Sequence, residues 1–149
     1  MKKMILQIEK HPSKFLTTIS DEVQLRDLKL AKTLIKDMIA TLKNADGMGL
    51  AAPQIAVNKR IIIVKTGNKY VEMINPEYVP VGDDCGNTIS SQEGCLSLPN
   101  VHCTVARWNH IRVNYLNSKW DERFLELSGI QSICVQHEID HLNGVLMID

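Results

Sequence analysis

Over residues 21–43 the apolar positions Leu25, Leu28, Ala31, Leu34, Ile35, Met38, Ile39 and Leu42 recur at intervals of three and four, which gathers them on one stripe of an α-helix. Ser20 stands where an N-cap belongs, and Asn44, Asp46 and Gly47 follow as stop signals. From residue 60 the period shortens. Residues 60–65 and 69–74 are β-like runs flanking Thr66-Gly67-Asn68, the pattern of a hairpin. Residues 111–116 alternate apolar and polar, and 124–127 can pair with them across a turn. Residues 80–92 are polar and turn-rich and read as a surface loop. A second helix is predicted over 129–143, where Ser128 and Gln131 have capping-box spacing and Gly144 suits the C′ position. With no repeat and no low-complexity linker, the pattern describes one domain over residues 1–149. Its class is α+β, short antiparallel sheets packed around a central helix.

A chain of 149 residues can bury about 70% of its unfolded surface and needs no disulfide to be stable. Lys plus Arg and Asp plus Glu are 17 each, for a net charge of zero. That balance offers no footprint for nucleic acid or an anionic membrane. The longest apolar runs, such as Ile61-Ile62-Ile63-Val64, fall well short of the roughly 20 residues of a membrane span. Lys2-Lys3 precedes only Met4-Ile5-Leu6, too short for a secretory signal, so the expected location is the cytoplasm. Cys85, Cys95, Cys103 and Cys134 contain no C-x-x-C pair and are expected to be reduced. Cys134, and also Cys85 and Cys103, read as small buried hydrophobes.

The second helix carries His137-Glu138-Ile139-Asp140-His141. Four helical residues advance about 400°, which leaves the imidazoles within about 40° of each other and about 6 Å apart along the axis, able to grip one ion. Both continue the stripe Ile130, Ile133, Cys134 and are expected to face the interior. The bland alternative is a pair of core histidines beside a solvated Glu138. A catalytic metal site takes three protein ligands, and of the eight residues after His141 only the terminal Asp149 could serve, so the third ligand belongs upstream. Cys95 in Glu93-Gly94-Cys95-Leu96-Ser97 is the best candidate, with Leu96 and Ser97 expected to run extended toward Pro99, although the residues alone leave the choice of cysteine open. Gly47-Met48-Gly49-Leu50-Ala51-Ala52-Pro53-Gln54 superficially fits a dinucleotide fingerprint. A helix precedes it and Pro53 follows, which excludes that reading. Its glycines keep the backbone bare for a ligand, and Gln54 supplies a directed amide.

Taken together, the three segments resemble the peptide deformylase family. Its G-x-G-hydrophobic-A-A-x-Q, E-G-C-hydrophobic-S and H-E-x-D-H-L-x-G signatures occur in order and without a mismatch. Weaker similarity includes residues 60–64, Ile74-Asn75-Pro76 and Arg107. The resemblance implies a peptide deformylase-like fold around a metal-binding helix. It implies that Cys95, His137 and His141 hold one divalent ion, usually Fe2+, which Zn2+, Ni2+ or Co2+ can replace. Glu138 is then the general base for hydrolysis of the N-formyl group on N-formylmethionyl nascent chains, releasing formate. The Gln54 side-chain amide and the Leu96 backbone N–H stabilise the charge on the formyl oxygen. The peptide would lie as an added strand among Gly47, Met48, Gly49, Glu93, Gly94 and Leu96, with its methionine against Ile133, Cys134 and His137. Two departures stand out: many members carry arginine where His102 stands, and the chain ends five residues after Gly144. The second leads to the expectation of a short form without a ribosome-docking C-terminal helix. The competing readings are an H-E-x-x-H metallopeptidase and a non-catalytic metal- or peptide-binding homologue. Intact Glu138 and Gln54 argue against the latter.

Overall fold

Four consecutive apolar residues, Ile61-Ile62-Ile63-Val64, can all be buried in one strand only if both faces of the sheet are covered. The computed structural model, which describes residues 3–82 and 88–149, shows that cover. Chain order is α1 (Lys14–Thr17), a 3-10 turn (Leu25–Asp27), α2 (Leu28–Ala45), β1 (Gly49–Ala51), a second 3-10 turn (Ala52–Ile55), β2 (Ile61–Thr66), β3 (Lys69–Pro80), β4 (Thr88–Cys95), β5 (Leu98–Trp108), β6 (His110–Leu116), β7 (Glu122–Ser128) and α3 (Gly129–Leu142). A five-stranded antiparallel sheet has the order β1-β2-β3-β6-β7, and β4 and β5 form a separate hairpin. The α+β class expected from the pattern is the one observed.

Alternation along β2 assigns its residues to two cores. Ile61 and Ile63 pack with Ile35, Met38 and Leu42 of α2. Ile62 and Val64 pack with Val135, Ile139 and Leu142 of α3. Each such side chain contributes about 1.5–3 kcal/mol relative to exposure. A smaller cluster of Leu16, Leu98, Leu146 and Met147 docks the β4–β5 hairpin on α1 and the last residues of the chain.

Several expectations need correction. The first helix begins at Leu28, not at residue 21, and Ser20 does not cap it. The backbone of Asp21 bonds instead to Asn58 and Arg60, and the Ser20 N–H donates to the Leu142 carbonyl, so these residues are held outside any helix. Leu25 is consequently 62% exposed. The first hairpin is present with the expected turn, but β3 continues to Pro80 through a bulge between Ile74 and Glu77. There the Asn75 side chain bonds both the N–H and the carbonyl of Val23. The expected loop over 80–92 is partly strand, since Thr88 to Glu93 pair with β5, which the hydrophobic pattern did not reveal. Residues 83–87, and with them the reading of Cys85, lie outside the described residues. Ser128 and Gln131 make no capping box. The chain enters α3 through Gly129 at φ 63°, with its N–H donated to the Asn109 carbonyl, and Ser128 stands at the N-cap without a side-chain bond to the helix.

At the other end Gly144 has φ 72°, as a C′ glycine should, and a Cβ there would lie 2.6 Å from the Thr17 carbonyl oxygen. Gly144→Ala therefore combines left-handed strain with a backbone clash. Its expected cost is about 2–3 kcal/mol, read as a lowered urea midpoint at unchanged slope.

Candidate active site

Both histidines of the α3 stripe are largely buried, as expected, with His141 1% and the His137 side chain 11% exposed. The rest of the stripe does not enter a core: Ile130 is 66% exposed, and Ile133 and Cys134 are half-buried along a cleft of about 510 Å³. Val135, Ile139 and Leu142 meet the sheet, and Ser132 and Gln136 meet the end of β5. Gln136 fixes the rotation of the helix: its Oε1 accepts from the Trp108 N–H at 2.9 Å and its Nε2 donates to the Trp108 carbonyl at 2.7 Å. Ser132 Oγ donates to the same carbonyl at 2.9 Å.

With that rotation set, His137 and His141 stand with ring centroids 5.0 Å apart, and Cys95 Sγ lies 3.4 Å from His141 Nε2. The ligand atoms of Cys95, His137 and His141 all fall within 4.8 Å of one another. Around a tetrahedral ion with bonds of about 2.1 Å to nitrogen and 2.3 Å to sulfur, neighbouring donors sit about 3.6 Å apart, so this set fits a divalent metal. Among the described cysteines Cys95 is the one in this group: Cys103 packs against the small hydrophobic cluster, and Cys134 lines the cleft with its thiol 3.5 Å from the Met48 carbonyl. Leu96 and Ser97 are not extended, as expected, but form the two-residue turn between β4 and β5. A register shift between Glu93 and Cys95, at Gly94, re-aims the thiol at the end of the strand.

Behind the donors lies a network that sequence reasoning missed. Arg107 donates two bonds to Glu93, Nε to Oε2 at 2.8 Å and Nη2 to Oε1 at 2.7 Å, and a third from Nη1 to Asp140 Oδ2 at 2.6 Å. Glu93 Oε1 also lies 2.8 Å from His137 Nδ1, so it holds that ring with Nε2 left for a metal. Burial alone would raise the Glu93 carboxyl, but the bonds from Arg107 and His137 overcome it and hold it at about 2. His137, which burial would lower, is lifted to about 10 by its bonds to Cys95 and Glu93. His141 falls to about 3 through burial, reinforced by repulsion from His137 and Arg107. Arg107 itself is 5% exposed, and no local sequence signal marks it.

Glu138 is not the solvated residue of the bland alternative. It is 4% exposed, its Oε1 has no partner, and burial raises its carboxyl to about 7 against the pull of His137 and Arg107. Gly49 is required beside it, because a Cβ there would lie 2.6 Å from Glu138 Oε2 and 2.8 Å from Cys134 Sγ. Gln54 is 1% exposed; its Oε1 accepts from the Ala51 N–H at 2.9 Å, which turns Nε2 toward Ser97 Oγ at 3.1 Å and Cys95 Sγ at 3.8 Å. Gly47, Met48 and Gly49 line one wall of the cleft, Glu93, Gly94 and Leu96 the other, and Ile133, Cys134 and His137 the floor. Every residue singled out as a substrate contact thus borders it. Glu93, however, has both carboxylate oxygens occupied by Arg107 and His137 and acts from behind the wall. His102 lines the outer cleft beside Gly94.

Residues 5–149 match the family model described as polypeptide deformylase. Peptide deformylase 1 of Clostridium acetobutylicum is 39% identical over 145 residues, covering 97% of this chain and 93% of that one. The class I type b peptide deformylase from Acinetobacter baumannii bound to Met-Ala-Ser superposes with a TM-score of 0.90 at 31% identity, over 98% of this chain and 99% of that one. The Thermotoga maritima peptide deformylase superposes at 0.88 with 37% identity, over 97% and 96% of the respective chains.

Removing Arg107 leaves the Glu93 carboxylate buried beside Asp140 without its cation. Arg107→Ala should cost about 3–5 kcal/mol in urea unfolding and weaken metal binding by about 10–100-fold in competition with a chromophoric chelator.

Proposed function

The chain belongs to the polypeptide deformylase family, metal-dependent hydrolases that remove N-formyl groups, and from that premise we propose how its residues perform the reaction. The observation that carries the reading is the Cys95, His137 and His141 donor set at a cleft that also holds a buried carboxylate with a free oxygen. Cys95, His137 and His141 hold the ion, Fe2+ in the cell by the family resemblance. When bound it supplies Lewis acidity and lowers the pKa of water.

The protein's own groups divide the remaining work. Glu138 takes a proton from the attacking water and returns it to the departing amine nitrogen; burial that holds its carboxyl near 7 suits both directions of transfer at neutral pH. Gln54 Nε2 and the Leu96 N–H donate to the formyl oxygen as negative charge develops on it. Gly49 and Gly94 both line the cleft, and an extended peptide would lie between them, bonded as an added strand. Ile133 and Cys134 offer an apolar floor for the first side chain, which suits methionine. That the A. baumannii enzyme binds Met-Ala-Ser supports a peptide ligand for this chain. A cysteine ligand that has to stay reduced favours the cytoplasm, where formylated nascent chains are made. A net charge of zero leaves the groove, rather than a basic surface, to meet them.

Anaerobically loaded with Fe2+, the protein should release formate from formyl-Met-Ala and leave unformylated Met-Ala intact. Glu138→Gln should lower kcat by about 10²–10⁴-fold while keeping one metal per chain. Full activity in that variant, or cleavage of internal peptide bonds by the wild type, would overturn the assignment in favour of a different hydrolase.

A further inference from the structure

The two segments that carry the proposed oxyanion donors are distant in sequence, and a third segment bridges them. The Glu9 N–H donates to the Gln54 carbonyl at 2.6 Å, and the His11 N–H donates to the Ser97 carbonyl at 2.9 Å. Between them the Lys10 ammonium donates to the Leu96 carbonyl at 2.9 Å. Residues 9–11 therefore act as a strap that ties the 3-10 turn bearing Gln54 to the β4–β5 turn bearing Leu96. The main-chain bonds from Glu9 and His11 are available to any sequence. The bond from Lys10 is not, since it needs a long side chain with a donor at its end. Lys10 is exposed and has no salt bridge among the described residues, so neither burial nor an opposite charge accounts for its direction.

The orientation of a turn amide depends on the peptide planes beside it. Leu96 lies at the first position of a two-residue turn with its side chain against Gly47 across the cleft. A charge-assisted bond to its carbonyl fixes the Leu96–Ser97 plane. That in turn limits rotation about Leu96 and the direction of its N–H. We propose that Lys10 is a positioning residue for the oxyanion pair, holding the Leu96 N–H in register with Gln54 Nε2. The proposal rests on the deformylase reading above. Preorganisation of this kind matters most where charge develops, so its loss falls on the transition state more than on substrate binding.

The test compares the full-length, metal-loaded wild type with Lys10→Met and Lys10→Arg on formyl-Met-Ala. Lys10→Met should lower kcat about tenfold with KM changed less than about twofold, a part of the 10²–10³ that outright loss of an oxyanion donor costs. Lys10→Arg, which still reaches a carbonyl with a cationic donor, should recover most of it. Nitrogen-15 relaxation on the zinc-loaded protein should show the Leu96 amide order parameter falling from about 0.85 toward 0.6 in Lys10→Met, with neighbouring helix amides unmoved. An unchanged kcat, a loss confined to KM, failure of arginine to recover, or an unchanged Leu96 order parameter would each overturn the role given to Lys10. If the wild type releases no formate, the deformylase reading fails instead, and the Leu96 order parameter alone then decides whether Lys10 fixes the turn.

Discussion

The bidentate bond between Arg107 and Glu93 is the interaction on which the site depends. The guanidinium is the main counterweight to burial that keeps Glu93 ionised, and a neutral Glu93 would hold the His137 ring more weakly, without the charge that strengthens the bond to Nδ1. Arg107 also reaches Asp140 on α3, so one side chain fastens the β4–β5 hairpin to the helix that carries both histidines. The hairpin is also held by a small apolar cluster, by Gln136 and Ser132 on Trp108, and by His11 and Gln54 on Ser97. A buried ion pair of this kind adds little net stability over apolar side chains of the same volume. Its return is geometric: it sets the distance between the strand that carries Cys95 and the helix that carries the imidazoles.

Burial of α3 on both sides explains a second feature. The helix lacks the polar stripe of a surface helix, because one side meets the sheet through Val135, Ile139 and Leu142 and the other meets the cleft and hairpin. Polar groups set into such a helix have to find partners, and Gln136 and Ser132 find them on Trp108. Among the described residues few buried side-chain atoms lack one, and two of these are Glu138 Oε1 and His141 Nδ1. The others are Ser20 Oγ and Arg112 Nε, so half of this unsatisfied polarity lies on the helix that carries the histidines. Strand β1 makes this possible, since Gly49 brings its backbone against Glu138 and Leu50 and Ala51 fill the two cores on opposite faces.

The periodic parts of this fold were legible in the residues. The stripe from Leu28 to Leu42, the hairpin around Gly67 and the pairing of residues 111–116 with 124–127 all follow from local spacing. The H-E-x-x-H helix was legible for the same reason, because both ligands lie four residues apart on one element. Contacts that span the chain were not. Ser20 looks like a cap until Asp21 is drawn to Asn58 and Arg60, and Ser128 looks like one until Gly129 turns left-handed. The hydrophobic period of β4 and β5 is faint because a two-stranded hairpin exposes much of both faces, with Val101 and Ile89 among its exposed residues. The stripe Ile130, Ile133, Cys134 correctly grouped the residues of one face but could not say whether that face met a core or a cleft. Only the position of the hairpin decides that. Arg107 carried no local sign of its role, since its partners are 14 and 33 residues away.

The charges gathered around the donors bear on how a protein of zero net charge could favour a cation at one place. Cys95, Glu93, Glu138 and Asp140 converge there, and Arg107 is the guanidinium that faces them. These anions favour positive charge at His137, whereas His141, buried and facing His137 and Arg107, is kept a neutral donor. The lift of His137 to about 10 expresses that bias as affinity for a proton, and a divalent ion competes for the same place on the ring. Glu138 shows the cost of the same burial for an anion: desolvation raises its carboxyl toward neutral pH against the pull of His137 and Arg107. A carboxyl poised there would give up a proton as readily as it takes one, which is what the amide hydrolysis proposed above would ask of it.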